Sequence, residues 1–263
     1  MNTLFAVVAQ ALGVLIGVLG LALWLRRRLP ERWPTWLLGG LSFVGSQVAR
    51  LPLLGTFAAV VPLLGIAPGS LGFTLLVGGV QLATSGLFEE SARYIVMRWL
   101  AKHVRAWRNA VMFGAGHGGT EALLILGFSA INNIVLLLNG DTVLAQVRAT
   151  APQQADALAA QIAALQAAPI WQFGIGLYER ALAIILHIAL SILVMKAVRG
   201  DGAKWLFWAM GLHIAVNTLV VLVAQNGGVL WAEAALTVLT ALPIYLIWRF
   251  RESTAESSTV RRL

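Results

Sequence analysis

Two glutamates and an arginine, Glu89, Glu90 and Arg93, stand inside the otherwise apolar stretch GLFEESARYIVM at residues 86–97. Histidines occur in comparable settings at His117, in FGAGHGGTEA, at His187, and at His213, in HIAVN. An ionisable group at mid-bilayer costs about 2.5–3.5 kcal/mol on insertion scales, so its default reading is a functional site. Carboxylates and imidazoles together can activate a water, transfer its proton and hold a divalent metal. Residues at i and i+4 share a helix face. That spacing pairs Glu89 with Arg93, His117 with Glu121, and His213 with Asn217, while Glu90 points about 100° away from Glu89 and can pair with Arg93 as the structural half of the motif. There is no cysteine, which excludes disulfides, thiolate nucleophiles and cysteine-ligated metals.

The elements that must carry these residues are membrane spans. With 59% hydrophobic and 11% charged residues in 263, the composition excludes an ordinary soluble domain. Seven apolar runs are each long enough to cross a hydrocarbon core of about 30 Å. They lie near residues 4–25, 35–61, 71–97, 109–137, 172–195, 205–224 and 228–248. The expected fold is an all-α, polytopic transmembrane helical bundle. The net charge of +8 does not indicate a nucleic-acid partner, because 15 of the 19 basic residues fall in alternate loops or the tail. By the positive-inside rule this puts the N-terminus outside and the C-terminus in the cytoplasm, which requires an odd number of spans. The first span has its charges after the apolar run and reads as a retained helix, not a signal peptide.

One transmembrane domain is expected over residues 1–249, with a polar, disordered cytoplasmic tail at 250–263. An outer-face loop at about 139–171 contains an interfacial helix between Pro152 and Pro169, because Leu158, Ile162 and Leu165 recur at helical spacing. Gly78-Gly79 and Gly118-Gly119 read as close-packing points between helices. His103, in a basic loop, reads as solvated. Arg50 and the Glu179–Arg180 pair, nearer the outer face, read as structural ion pairs.

Depth ties the chemistry together. Glu89, His117, His187 and His213 each lie nine residues from the nearest loop cation, Arg98, Arg108, Lys196 and Lys204 respectively. At 1.5 Å per residue all four sit about 13 Å deep. His187 shares this layer without a motif of its own and reads equally as a core histidine or a fourth site residue.

The patterns EExxR at Glu89, Glu90 and Arg93, FxxxH at Phe113 and His117, and HxxxN at His213 and Asn217 resemble, in order and helical placement, the intramembrane proteases of the CAAX-protease and bacteriocin-processing (CPBP) superfamily. Within it they resemble the YhfC-like intramembrane metalloproteases. The superfamily's first motif is EExxxR, so Arg93 comes one residue early, which leaves open whether Glu89 or Glu90 is the base; depth favours Glu89. Glu121 is similar to the FxxxE glutamate of PrsW-like relatives, whose other motifs fit less well. The resemblance implies an endopeptidase in a prokaryotic cell membrane acting on a membrane-associated protein or peptide. In the version with zinc, His117, His213 and a carboxylate, Glu89, bind the metal. In the version without it, Glu89 is the general base and His213 and Asn217 stabilise the oxyanion. A proton-coupled transporter and a noncatalytic scaffold or immunity protein are the alternatives. Inverted repeats or paired half-helices would favour the transporter, and tolerance of Glu89→Gln the scaffold.

Overall fold

The computed structural model describes residues 2–29 and 31–251; the disordered tail expected at 252–263 lies outside them. Among the described residues the helices are α1 (Asn2–Arg28), α2 (Trp33–Val60), α3 (Leu71–Ile95), α4 (Trp107–Ala122), α5 (Phe128–Thr150), α6 (Ala155–Ala167), α7 (Trp171–Arg199), α8 (Lys204–Gly227) and α9 (Val229–Arg249). Seven helical stretches are long and apolar enough to cross a membrane. The chain is therefore an all-α, polytopic integral membrane protein. Large apolar side chains such as Phe207, Trp208, Trp231 and Val238 are exposed on it, as lipid-facing positions should be.

The chain divides into two compact units, Met1–Leu21 with Glu121–Ala181, and Ala22–Thr120 with Leu182–Leu263. In the first, Ala6, Val7, Ala130 and Phe173 form a small core against which Leu165 of α6 packs. The Gln10 carboxamide donates to the Phe173 carbonyl at 2.8 Å. A helix expected between Pro152 and Pro169 is present as α6. The loop expected from residue 139 is not: α5 bends at Asn139 (φ −130°, ψ 18°) and runs on to Thr150. The sequence DTVLAQVRAT after Gly140 contains no breaker before Pro152, so the helix resumes.

The second unit is held by backbone-to-backbone crossings at glycine. A Cβ at Gly39 would lie 2.0 Å from the Phe113 carbonyl oxygen, and one at Gly116 would lie 2.1 Å from that of Trp36, so α2 and α4 touch at their main chains. Gly114 meets the backbone of Ile188 and Gly118 the His187 Cβ, which seats α4 on α7. Gly86 meets Met210 and Ile214, which seats α3 on α8. Small residues allow this approach in membranes, where lipid gives helices no hydrophobic reason to associate. Gly118 thus packs as its sequence suggests, whereas the would-be Cβ atoms of Gly78 and Gly79 have open space around them. Residues 186–195 of α7 are buried on every side, as expected of a helix enclosed by others.

Gly116→Ala is expected to destabilise the fold by about 1–3 kcal/mol or more, because the added methyl meets a carbonyl that cannot move alone. Gly78→Ala should be neutral or slightly stabilising, since alanine is the better helix former. Thermal unfolding of both variants in detergent checks the pair.

On the side carrying the basic loops, α3 ends in a wider turn over Val96–Leu100, closed by a hydrogen bond from the Ala101 N–H to the Val96 carbonyl. His103 beyond it is exposed, as expected of the basic loop. Its Nε2 lies 2.9 Å from the Thr35 hydroxyl, and partial desolvation pushes the imidazole below its usual value despite the opposing charge of Glu31. Phe250 and Arg251, expected in the tail, instead pack on Trp205 and Trp107 respectively.

Candidate active site

Glu89 and Glu90 are adjacent on α3 but serve different neighbours. The fully buried Arg93 pairs with Glu90, not Glu89, with 3.1 Å between Nη1 and Oε2. Glu90 Oε1 in turn lies 2.9 Å from His213 Nδ1. Glu89 faces away from that pair. Its Oε2 is 3.2 Å from His117 Nε2 and 4.0 Å from His213 Nε2, and its Oε1 accepts from the Gln47 amide at 3.2 Å. All three site groups are buried: Glu89, His117 and His213 are 5%, 0% and 3% exposed.

Hydrogen-bond donors and acceptors constrain which imidazole nitrogens carry protons. Ser42 Oγ lies 2.6 Å from the Gly39 carbonyl oxygen. A hydroxyl has one proton: on the Gly39 carbonyl it leaves Ser42 Oγ to accept from His117 Nδ1, 2.8 Å away, and turned to the ring it donates to Nδ1 while His117 Nε2 donates to Glu89. In the first arrangement a neutral His117 presents a bare Nε2 lone pair to the Glu89 carboxylate. Two electron-rich atoms at that separation repel unless a cation, either a proton or a metal, lies between them. His213 repeats the arrangement, with Nδ1 donating to Glu90 and Nε2 toward Glu89. Metal-binding histidines characteristically hold their second nitrogen in this way.

His187 is wired in the opposite sense. The Arg93 guanidinium can only donate, and its Nη2 lies 3.0 Å from His187 Nδ1, so the neutral ring carries its proton on Nε2. The three imidazoles are neighbours, with ring centroids 5.0 Å apart for His117–His187 and 5.3 Å for His187–His213. Glu89, His117 and His187 bring ligand atoms within 4.8 Å of one another. Proximity alone would admit His187 as a ligand, but its protonated Nε2 and its Arg93-bound Nδ1 argue against it. Glu89 Oε2 thus has two imidazole nitrogens near it, His117 Nε2 at 3.2 Å and His213 Nε2 at 4.0 Å.

The remaining residues singled out in the sequence have partners of their own. Asn217 does not pair with His213; its amide donates to Ser85 Oγ at 3.1 Å, one turn before Glu89 on α3. Glu121 is counted with the first unit and accepts from Arg180 at 3.0 Å, and Arg180 also pairs with Glu179. Three supporting residues carry no motif: Ser42, Gln47 and Ser85. Their sequence signal was available, since Ser42, Ser46 and Arg50 form an i, i+4, i+8 polar stripe on an apolar α2, and Ser85 lies four residues before Glu89.

The match to known proteins covers this whole region. Residues 12–240 match the family described as YhfC intramembrane metalloprotease. The chain belongs to the YhfC family. The uncharacterized membrane protein YhfC of Bacillus subtilis (strain 168) is 30% identical over 218 residues, covering 78% of this chain and 79% of that protein. No solved structure matches the chain. The YhfC match spans α3, α4, α7 and α8, the four helices that carry Glu89, His117, His187 and His213.

Proposed function

We propose that this YhfC protein is a zinc-dependent intramembrane endopeptidase that cleaves a membrane-associated protein or peptide. The observation that carries the reading is the convergence of His117 Nε2 and His213 Nε2 on one oxygen of the buried Glu89 carboxylate. Two imidazole nitrogens facing one carboxylate oxygen are ligand types of the kind that bind zinc. The motif order also supports a place for the family in the CPBP superfamily.

His117, His213 and Glu89 would hold the zinc. When bound, the ion acidifies a water toward neutral pKa and polarises the substrate carbonyl. In a site without the metal, Glu89 Oε2 would instead take the proton of the attacking water and return it to the leaving amine. Glu90 keeps His213 in the ligating tautomer, as Ser42 does His117 when its hydroxyl proton lies on the Gly39 carbonyl. Asn217 is a positioning residue, tied through Ser85 to the α3 segment that carries Glu89. A cavity of about 480 Å³ between α2 and α3, lined by residues including Leu41, Ser42, Ser46, Leu87, Phe88 and Ile95, gives an apolar segment a route to the site. Ser42 is part of both the cavity wall and the His117 support, which favours a membrane-borne substrate.

Metal analysis of the detergent-purified protein tests the assignment. One zinc per chain is expected in the wild type, lost in His117→Ala and His213→Ala but retained in His187→Gln. A folded wild type that takes up no zinc contradicts the metal reading, and loss in His187→Gln as well would return His187 to the ligand set.

A further inference from the structure

Gln47 lies between Glu89 and a second buried cation, Arg50, which is 9% exposed within the apolar α2. The arginine bonds across to α3, donating to the Gln81 carbonyl at 2.7 Å and to Thr84 Oγ1 at 3.2 Å. Its Nη1 donates to Gln47 Oε1 at 3.2 Å. Because guanidinium can only donate, this contact decides which way the Gln47 carboxamide faces. The amide nitrogen must point the other way, toward Glu89 Oε1 and Ser46 Oγ, each 3.2 Å distant. The Ser46 hydroxyl donates to the Phe43 carbonyl at 2.6 Å and is thereby an acceptor for the amide. Both amide hydrogens are accounted for, and the orientation has no alternative while Arg50 is present.

We infer that Arg50 is a positioning residue for the reaction: through the Gln47 carboxamide it fastens Glu89 by Oε1, so that Oε2 faces His117 and His213. The inference rests on the proposed role of Glu89 and extends it to a residue whose sequence setting suggested only a structural ion pair. Arginine suits the task because its planar fork serves Gln81, Thr84 and Gln47 at once, which a lysine ammonium on a flexible stem does not fix in one plane. The arrangement makes the two oxygens of one carboxylate inequivalent, one anchored and one reactive. It does so from α2, a helix that contributes no ligand of its own.

The test reads the carboxylate itself. The infrared stretch of Glu89, in glutamate-labelled protein without added zinc or substrate, is identified as the band missing from Glu89→Gln. Arg50→Met and Gln47→Met are expected to shift this band equally, and the double variant no further, because residues acting in series are not additive. Zinc affinity should fall about ten- to a hundredfold in each single variant, the loss typical of a missing outer-shell partner. Shifts that add, or an Arg50→Met protein that loses thermal stability with the Glu89 band unmoved, would overturn the proposal. Should Arg50→Met not fold, Gln47→Glu carries the test: it still accepts from Arg50 but cannot donate to Glu89, and an unshifted band there also overturns it. The band reports on the relay whether or not the protein cleaves anything. An absence of zinc binding and cleavage in the wild type would count against the proposed function alone.

Discussion

Arg93→Met is expected to destabilise the protein by about 3–5 kcal/mol, the cost of breaking a buried ion pair by removing one partner. Both members of the Arg93–Glu90 pair are 0% exposed, so the orphaned carboxylate has no water to turn to. The damage extends into the site, because Glu90 holds His213 and Arg93 holds His187. Adding Glu90→Gln should recover much of the stability, since a neutral amide tolerates burial far better than an unpaired charge. It should not recover zinc binding, because the amide no longer enforces the donor role of His213 Nδ1. Unfolding in detergent, followed for the single and double variants, distinguishes this from simple loss of packing. A double variant no more stable than Arg93→Met would show that the arginine matters for its volume and not its charge.

Glu89→Gln is expected to do the reverse, leaving the fold intact and removing the activity. The glutamine oxygen can still accept from Gln47, while its amide nitrogen can donate to His117 Nε2, which the carboxylate faces. Stability should therefore be unchanged or higher. Turnover should fall by at least about 10²–10⁴-fold, the usual contribution of a general acid–base residue. A noncatalytic scaffold would tolerate the change, so the expected signature is a folded, stable protein in which function alone is lost. Thermal unfolding measured beside a cleavage assay gives both halves of that result.

Much of this site is legible in the sequence, and for an identifiable reason. Burying charge in a bilayer is costly enough that Glu89, His117, His187 and His213 stand out, and counting to the nearest loop cation places them in one layer. What the sequence does not settle is the pairing. The i, i+4 rule joins Glu89 to Arg93 and His213 to Asn217; the fold takes up the other pairing the sequence offered, Glu90 with Arg93, and joins Arg93 also to His187 and His213 to Glu90. The partners on other helices are chosen by how closely the helices cross, which depends on Gly39, Gly86, Gly114 and Gly116, and spacing along a single helix does not encode it. Ser42 and Gln47 escape notice for the same cause: a neutral side chain in an apolar helix gives a weak signal until its partner is seen. The continuation of α5 through Asn139 is likewise invisible to a hydropathy window, because the helix persists after its apolar run has ended.

The central claim is that Glu89 supports peptide-bond hydrolysis in the membrane. The most direct measurement compares the protein termini present in membranes of cells expressing wild type and Glu89→Gln at equal levels. The account predicts new termini, within or next to apolar segments of one or a few membrane proteins, that appear with the wild type and vanish with the variant. Identical termini in the two membranes, with both proteins folded and zinc bound to the wild type, would contradict it.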